Sequence, residues 1–205
     1  MLEETFIKLI GNYTTDDRLA MQLWKEIEEN YSNKKRHYHS LIHLENLLQH
    51  LFAIKKQIEN WDTILFSLYY HEIIYNPLKT NNEEKSAEFA ENRMQLIGVP
   101  QLTIENSVHQ ILATKKHLLS VDNDTNIFTD ADLSILGQPW NVYANYYKQV
   151  RNEYSLYPDL IYKPGRKKVL QHFLQMERIF KTDVCFTAFE LQAKENLQKE
   201  LELLQ

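Results

Sequence analysis

The stretch 61–74 is the most apolar in the chain: apart from Asp62, Thr63, Ser67 and the closing pair His71-Glu72, every side chain in it is hydrophobic. A helix built from it has no face that water can wet cheaply, so the segment predicts a central helix surrounded by neighbours, with Pro77 ending it. Only 4 Gly and 5 Pro occur in 205 residues, too few for the turns of an all-β fold, while Leu, Lys, Glu and Gln favour helix. The expectation is an all-α chain. At 43% hydrophobic content it can bury one sizeable core, and no repeat, linker or composition shift marks a boundary, so residues 1–205 read as a single domain.

Periodicity and punctuation predict the other helices. Thr15 reads as an N-cap for a helix over 15–32, and another begins near His39. Asn82 reads as the cap of a run over 83–97 that Gly98 closes, followed by a helix over 102–117. The polar run 120–126 reads as a break before a segment 130–137. Pro139 opens a helix to about Tyr157, Pro164-Gly165 opens another through Phe180 at most, and 186–203 is a charged amphipathic helix.

A net charge of -5 argues against a general grip on nucleic acid or an anionic membrane, which favours a small or soluble substrate. The basic turn Gly165-Arg166-Lys167-Lys168 is too short to change that reading. No apolar run is long enough to span a bilayer. One cysteine, Cys185, offers no internal disulfide, and no charged start leads into an apolar leader, so the expected location is cytoplasmic.

Four places concentrate reactive side chains. His39 and His43 stand four positions apart and share one face if a helix starts there; a surface or capping pair has the same spacing. His71-Glu72 closes the apolar segment, where an ionisable pair needs either water or a partner such as a cation. In Asp130-Ala131-Asp132, Asp130 reads as a helix cap. Lys115, Lys116 and His117 end a helix, where cations also suit the C-terminal dipole. The tyrosines Tyr143, Tyr146, Tyr147, Tyr154 and Tyr157 read as the margin of a core rather than a base-stacking face.

The order of these pieces, His43, then adjacent His71 and Glu72, then distant Asp132, resembles the HD superfamily of metal-dependent phosphohydrolases, and in particular its small bacterial predicted-phosphohydrolase branch. Blocks carrying the resemblance run over 36–43, 70–77, 82–87, 111–117, 129–137, 150–154, 165–170 and 190–201. Three of them are also similar to cyclic-nucleotide phosphodiesterases. The resemblance implies a compact helical fold and a metal held by His43, His71, Glu72 and Asp132. It further implies His39 as the acid that protonates the leaving oxygen. Lys116, His117 and Arg151 read either as phosphate contacts or as members of structural ion pairs. Mixed imidazole and carboxylate ligands suit Mn, Fe, Co, Ni or Zn. The implied activity is hydrolysis of a nucleotide or another small phosphoester; a metal- or nucleotide-binding module with impaired turnover is the alternative. The departure from the family is Glu72, where Asp is usual, which lengthens the carboxylate arm by one methylene. These expectations predict that His71→Ala abolishes metal retention in protein purified without chelator, whereas His109→Ala does not; equal metal content in the two variants counts against the assignment.

Overall fold

The structure, a computed structural model, describes residues 1–204. The described residues form ten α-helices and two 3-10 turns, with no strand. The all-α expectation holds. In order the helices are α1 (Leu2–Gly11), α2 (Asp17–Tyr31), α3 (Leu41–Ala53), α4 (Trp61–Tyr70), α5 (Asn82–Leu96) and α6 (Gln101–Ala113), then α7 (Asn123–Leu133), α8 (Trp140–Glu153), α9 (Asp159–Gln175) and α10 (Asp183–Leu203). None is long and apolar enough to cross a membrane. The helices gather into two compact units, Met1–Thr129 and Asp130–Gln205, the division falling within α7.

In the first unit α4 is the central element, packed against α1, α3, α5 and α6. Every residue of α4 from Thr63 onward is buried, as its composition requires. Two of its polar groups are matched to α6: Ser67 donates to the Gln110 side chain at 2.7 Å, and the Ser107 hydroxyl donates to the Thr63 carbonyl at 3.3 Å. Buried polar groups persist only when paired in this way. Aromatic edges join α4 to α1, where Phe6 meets Tyr69 at 4.9 Å between centroids and the Tyr69 hydroxyl donates to the Leu2 carbonyl at 2.8 Å.

Several helix boundaries differ from expectation, each for a local reason. The cap of α2 is Asp16 rather than Thr15; its carboxylate accepts the N–H groups of Arg18 and Leu19, both at 3.0 Å. Asn82 lies inside α5 and its side chain exchanges two hydrogen bonds with the Asn76 backbone, closing the loop before the helix. Gly98 does end that helix, at φ 74°, the left-handed conformation glycine adopts without cost. The polar run 120–126 is half helix. Its polarity serves hydrogen bonding: Asp122 accepts the Thr125 N–H at 2.9 Å where α7 starts, and buried Asp124 accepts the Glu59 and Asn60 N–H groups at 3.0 and 2.7 Å, capping α4.

The second unit packs α8, α9 and α10 with the 3-10 turn Ser134–Gly137 around Leu136, Tyr143, Leu170, Phe180 and Leu197. Gly137 lets that turn lie on α10, since a Cβ there would meet the Phe189 backbone at 2.8 Å. Helix α9 starts six residues before Gly165, with Pro164 inside it, where neighbouring Leu160 and Ile161 are exposed and water can reach the carbonyl that proline leaves without a donor. Arg166 is therefore a buried helical residue and not part of a basic surface turn. Its guanidinium pairs side-on with Glu200 at 2.7 and 2.8 Å, Tyr143 donates to the same carboxylate at 2.5 Å, and the Tyr146 ring lies 5.6 Å away. Burial pushes the Tyr143 phenol well above its usual range, so it stays a donor.

The sequence predicts Asp130 as the cap of the helix that follows it; instead it lies inside α7 and holds the residues that lead into α10, whose own cap is Thr182. The Asp130 carboxylate accepts the Lys181 and Thr182 N–H groups at 2.9 and 2.7 Å and the Thr182 hydroxyl at 2.8 Å. Glu190 in turn accepts the Ile179 and Phe180 N–H groups at 3.1 Å. These bonds replace helical ones and explain why α9 stops before Phe180. Removing one partner of a buried ion pair leaves an uncompensated charge, so Glu200→Ala should lower unfolding free energy by about 3–5 kcal/mol. Urea denaturation followed by circular dichroism reads that loss, while Lys85→Ala, which breaks an exposed pair with Glu88, should leave the midpoint unchanged.

Candidate metal centre

Two imidazoles in the first unit face each other edge to edge. His43 lies in the first turn of α3, its N–H bonded to the Ser40 carbonyl at 3.0 Å; His71 follows the last residue of α4, its N–H on the Ser67 carbonyl at 2.9 Å. Both are buried, and their Nε2 atoms stand 3.2 Å apart. The His71 Nδ1 lies 3.0 Å from the Leu68 carbonyl, one of the carbonyls that a helix end leaves without a donor. Donation from Nδ1 to that oxygen leaves the His71 Nε2 as a bare lone pair, the tautomer a metal-binding imidazole needs.

The spacing itself tests the fit to a cation. Ligand nitrogens about 2.0–2.1 Å from one ion are about 3.0 Å apart for neighbours in an octahedron and about 3.3 Å apart in a tetrahedron. The observed 3.2 Å falls between these values. The pair fits a transition-metal ion.

Around the pair the side chains are mostly aromatic. Tyr38 lies 5.0 Å from the His43 ring and 4.9 Å from His39, and Phe128 meets His71 edge-on at 5.6 Å. His39 precedes α3, its ring 5.9 Å from His43 and 4.5 Å from Tyr75. Glu72 directs Oε2 toward His39 Nε2 at 3.6 Å. The structure thus groups His39, His43, His71 and Glu72 in one unit, with Glu72 beside the proposed acid.

The remaining expected residues are carried by other segments of the chain. Asp132 is in the second unit, in the last turn of α7. Lys116 and His117 follow α6; Lys116 lines a shallow cavity of about 350 Å³ with His109 and Glu84, and His117 adopts φ 50° as the chain leaves the helix. Lys115 is the pinned cation of that run, on Glu84 and the Thr80 carbonyl. Arg151 closes the α8–α9 turn: it bonds the Tyr154 and Tyr157 carbonyls at 3.0 and 3.1 Å and Asp159 at 2.7 Å.

Arg36 is the site residue that sequence reasoning passed over, although it opens the block 36–43. Its Nη1 donates to the carbonyls of Glu72 at 2.7 Å and His39 at 3.3 Å, and its Nη2 to that of Ile73 at 2.8 Å. The Tyr31 and Tyr75 rings flank the guanidinium at 4.7 and 5.5 Å. The Tyr31 hydroxyl also accepts the Glu72 N–H at 3.2 Å. One planar cation therefore fixes the turn carrying His71-Glu72 against the loop carrying His39, a task that needs the guanidinium fork. Arg36→Lys should weaken Mn²⁺ binding by about tenfold or more, as loss of supporting hydrogen bonds does elsewhere, with only a modest fall in melting temperature. Titration calorimetry beside thermal denaturation checks this, and unchanged affinity would remove Arg36 from the site. Comparison with protein-family models, with curated proteins and with solved structures gives no match.

Proposed function

We propose that this chain is a metal-dependent phosphohydrolase of the HD type, acting on a nucleotide or other small phosphoester in the cytoplasm. The observation that carries the reading is the buried His43–His71 pair, its Nε2 atoms spaced as neighbours on one ion. In this reading Asp132, which the family resemblance implies as the last ligand, supplies the carboxylate of the donor set. That set matches the mixed nitrogen and oxygen preference of Mn, Fe, Co, Ni or Zn. An ion so held supplies Lewis acidity, neutralising phosphoester charge and making water nucleophilic near neutral pH.

The chain's own residues supply the rest. His43 and His71 sit in an apolar, aromatic surround, which strengthens electrostatic interactions by excluding water. His39, an imidazole on the margin of that surround, delivers a proton to the departing oxygen, and Glu72 at 3.6 Å orients the ring. In this reading Lys116 and His117 contact the phosphate.

The same carboxylate supports a second reading. Glu72 is directed at His39, so a metal- or nucleotide-binding module with weak turnover also accounts for the arrangement. Metal analysis of protein purified without chelator, followed by a screen of nitrophenyl phosphate esters and nucleotides with Mn, Ni and Co, separates the two. Stoichiometric metal with hydrolysis supports the enzyme, metal without hydrolysis supports the module, and no metal overturns both. Glu72→Asp should raise hydrolysis by restoring the family's usual arm length, because a misplacement of about 1 Å can cost on the order of a hundredfold in rate. A fall would mark Glu72 as a working partner at its present length, and an unchanged rate and metal affinity would remove it from the site.

A further inference from the structure

The second unit encloses a cavity of about 410 Å³ lined by its own helices alone: Tyr147 and Lys148 come from α8, Tyr162 and Lys163 from α9, and Glu200 from α10. Most of the charge on its walls is balanced internally. Glu200 already accepts from Arg166 and Tyr143, and Arg151 and Asp159, which also line the cavity, pair with each other at 2.7 Å. The ammonium groups of Lys148 and Lys163 have no ion-pair partner among the described residues, so the lining carries two positive charges in excess. Tyr147, at the margin of the core as its spacing predicts, is held by Trp140 and Tyr143, both 6.0 Å away between ring centroids. Tyr162 is held by the Arg151 guanidinium 4.5 Å over its ring and by Tyr154 at 5.9 Å. Both rings are therefore fixed before any ligand arrives, which lowers the ordering cost of binding. Burial pushes both phenols above their usual range, so each keeps a proton to donate.

We propose that this cavity binds an aromatic phosphate monoester of mononucleotide size, with its ring against Tyr147 and Tyr162 and its phosphate on Lys148 and Lys163. The volume lies within the range of about 300–1,000 Å³ usual for small-ligand sites. A phosphate monoester carries about -1.5 to -2 charge at neutral pH, which matches the two surplus ammonium groups. A flat ring stacks on tyrosine through its π-face, whichever base or aryl group it is. Each half of the ligand answers one half of the lining: an aliphatic phosphate leaves the fixed rings without a stacking partner, and a neutral aromatic leaves the two cations uncompensated. A cation is a poor occupant, because Glu200, the buried acid at the cavity, is already neutralised by Arg166. No residue of the candidate metal centre lines this cavity, so the inference stands apart from the metal reading.

Titration calorimetry on the full chain, with EDTA present to keep metal out, tests this. Wild-type protein should bind AMP, and should bind ribose 5-phosphate and adenosine, which each carry half of the proposed chemistry, about tenfold or more weakly. AMP and phenyl phosphate both present a ring and a phosphate, and the tighter of the two identifies the ring the cavity takes. The double variant Lys148→Met/Lys163→Met should lose about tenfold or more in AMP affinity, because its charged hydrogen bonds to phosphate are gone. Lys85→Ala, which removes a charge from the first unit, should match the wild type. No AMP binding by the wild type at millimolar concentration overturns the inference, as does ribose 5-phosphate binding as tightly as AMP. AMP affinity in the double variant within about twofold of wild type places the ligand at another site and also overturns it. An equal loss in Lys85→Ala does the same, since it shows a diffuse charge effect. If the double variant loses its helical circular dichroism, Lys148→Gln/Lys163→Gln is measured against the same outcomes.

Discussion

The grip of Arg36 on the turn after α4 is the interaction on which the site depends. A helix as apolar as α4 must be surrounded, and its end must still deliver ionisable groups to a defined point. At that end the His71 Nδ1 lies 3.0 Å from the Leu68 carbonyl, and a guanidinium reaches the carbonyls of Glu72, Ile73 and His39. Two stretches of chain more than thirty positions apart are thereby locked in register. Tyr31 and Tyr75 hold the cation flat, so the clamp needs both its charge and its planarity.

What could be read in advance follows from what is local. Burial of α4 was written in its composition, because no side of it could face water, and Gly98 marked a helix end because its φ requires glycine. The likeness of His39, His43 and His71-Glu72 to a known order singled out side chains that the first unit does gather. The direction of the Glu72 carboxylate toward His39 was not legible, since it depends on how the turn after Tyr70 is held. Neither was Arg36, whose partners are backbone carbonyls and leave no mark in residue type.

Polar residues misled where their partners were distant. The run 120–126 looked like a loop because it is rich in Asp, Asn and Ser, yet Asp124 and Thr125 are buried, and Asp124 is bonded to the backbone that starts α4. Arg166 looked like surface for the same reason: only Glu200, thirty-four positions away, explains why a cation can be buried in α9. In both cases a long-range hydrogen bond reverses what composition alone suggests.

The segment 179–182 carries a consequence for how this chain can vary. Four successive backbone N–H groups are held in pairs by Glu190 and Asp130, so the segment has a fixed length as well as a fixed path. Inserting or deleting one residue would shift every amide off its carboxylate at once, leaving two buried acids facing the wrong atoms. Drift in loop length is therefore barred between α9 and α10, even though the segment has no regular secondary structure. A connection that looks irregular is in this sense as strictly measured as a helix.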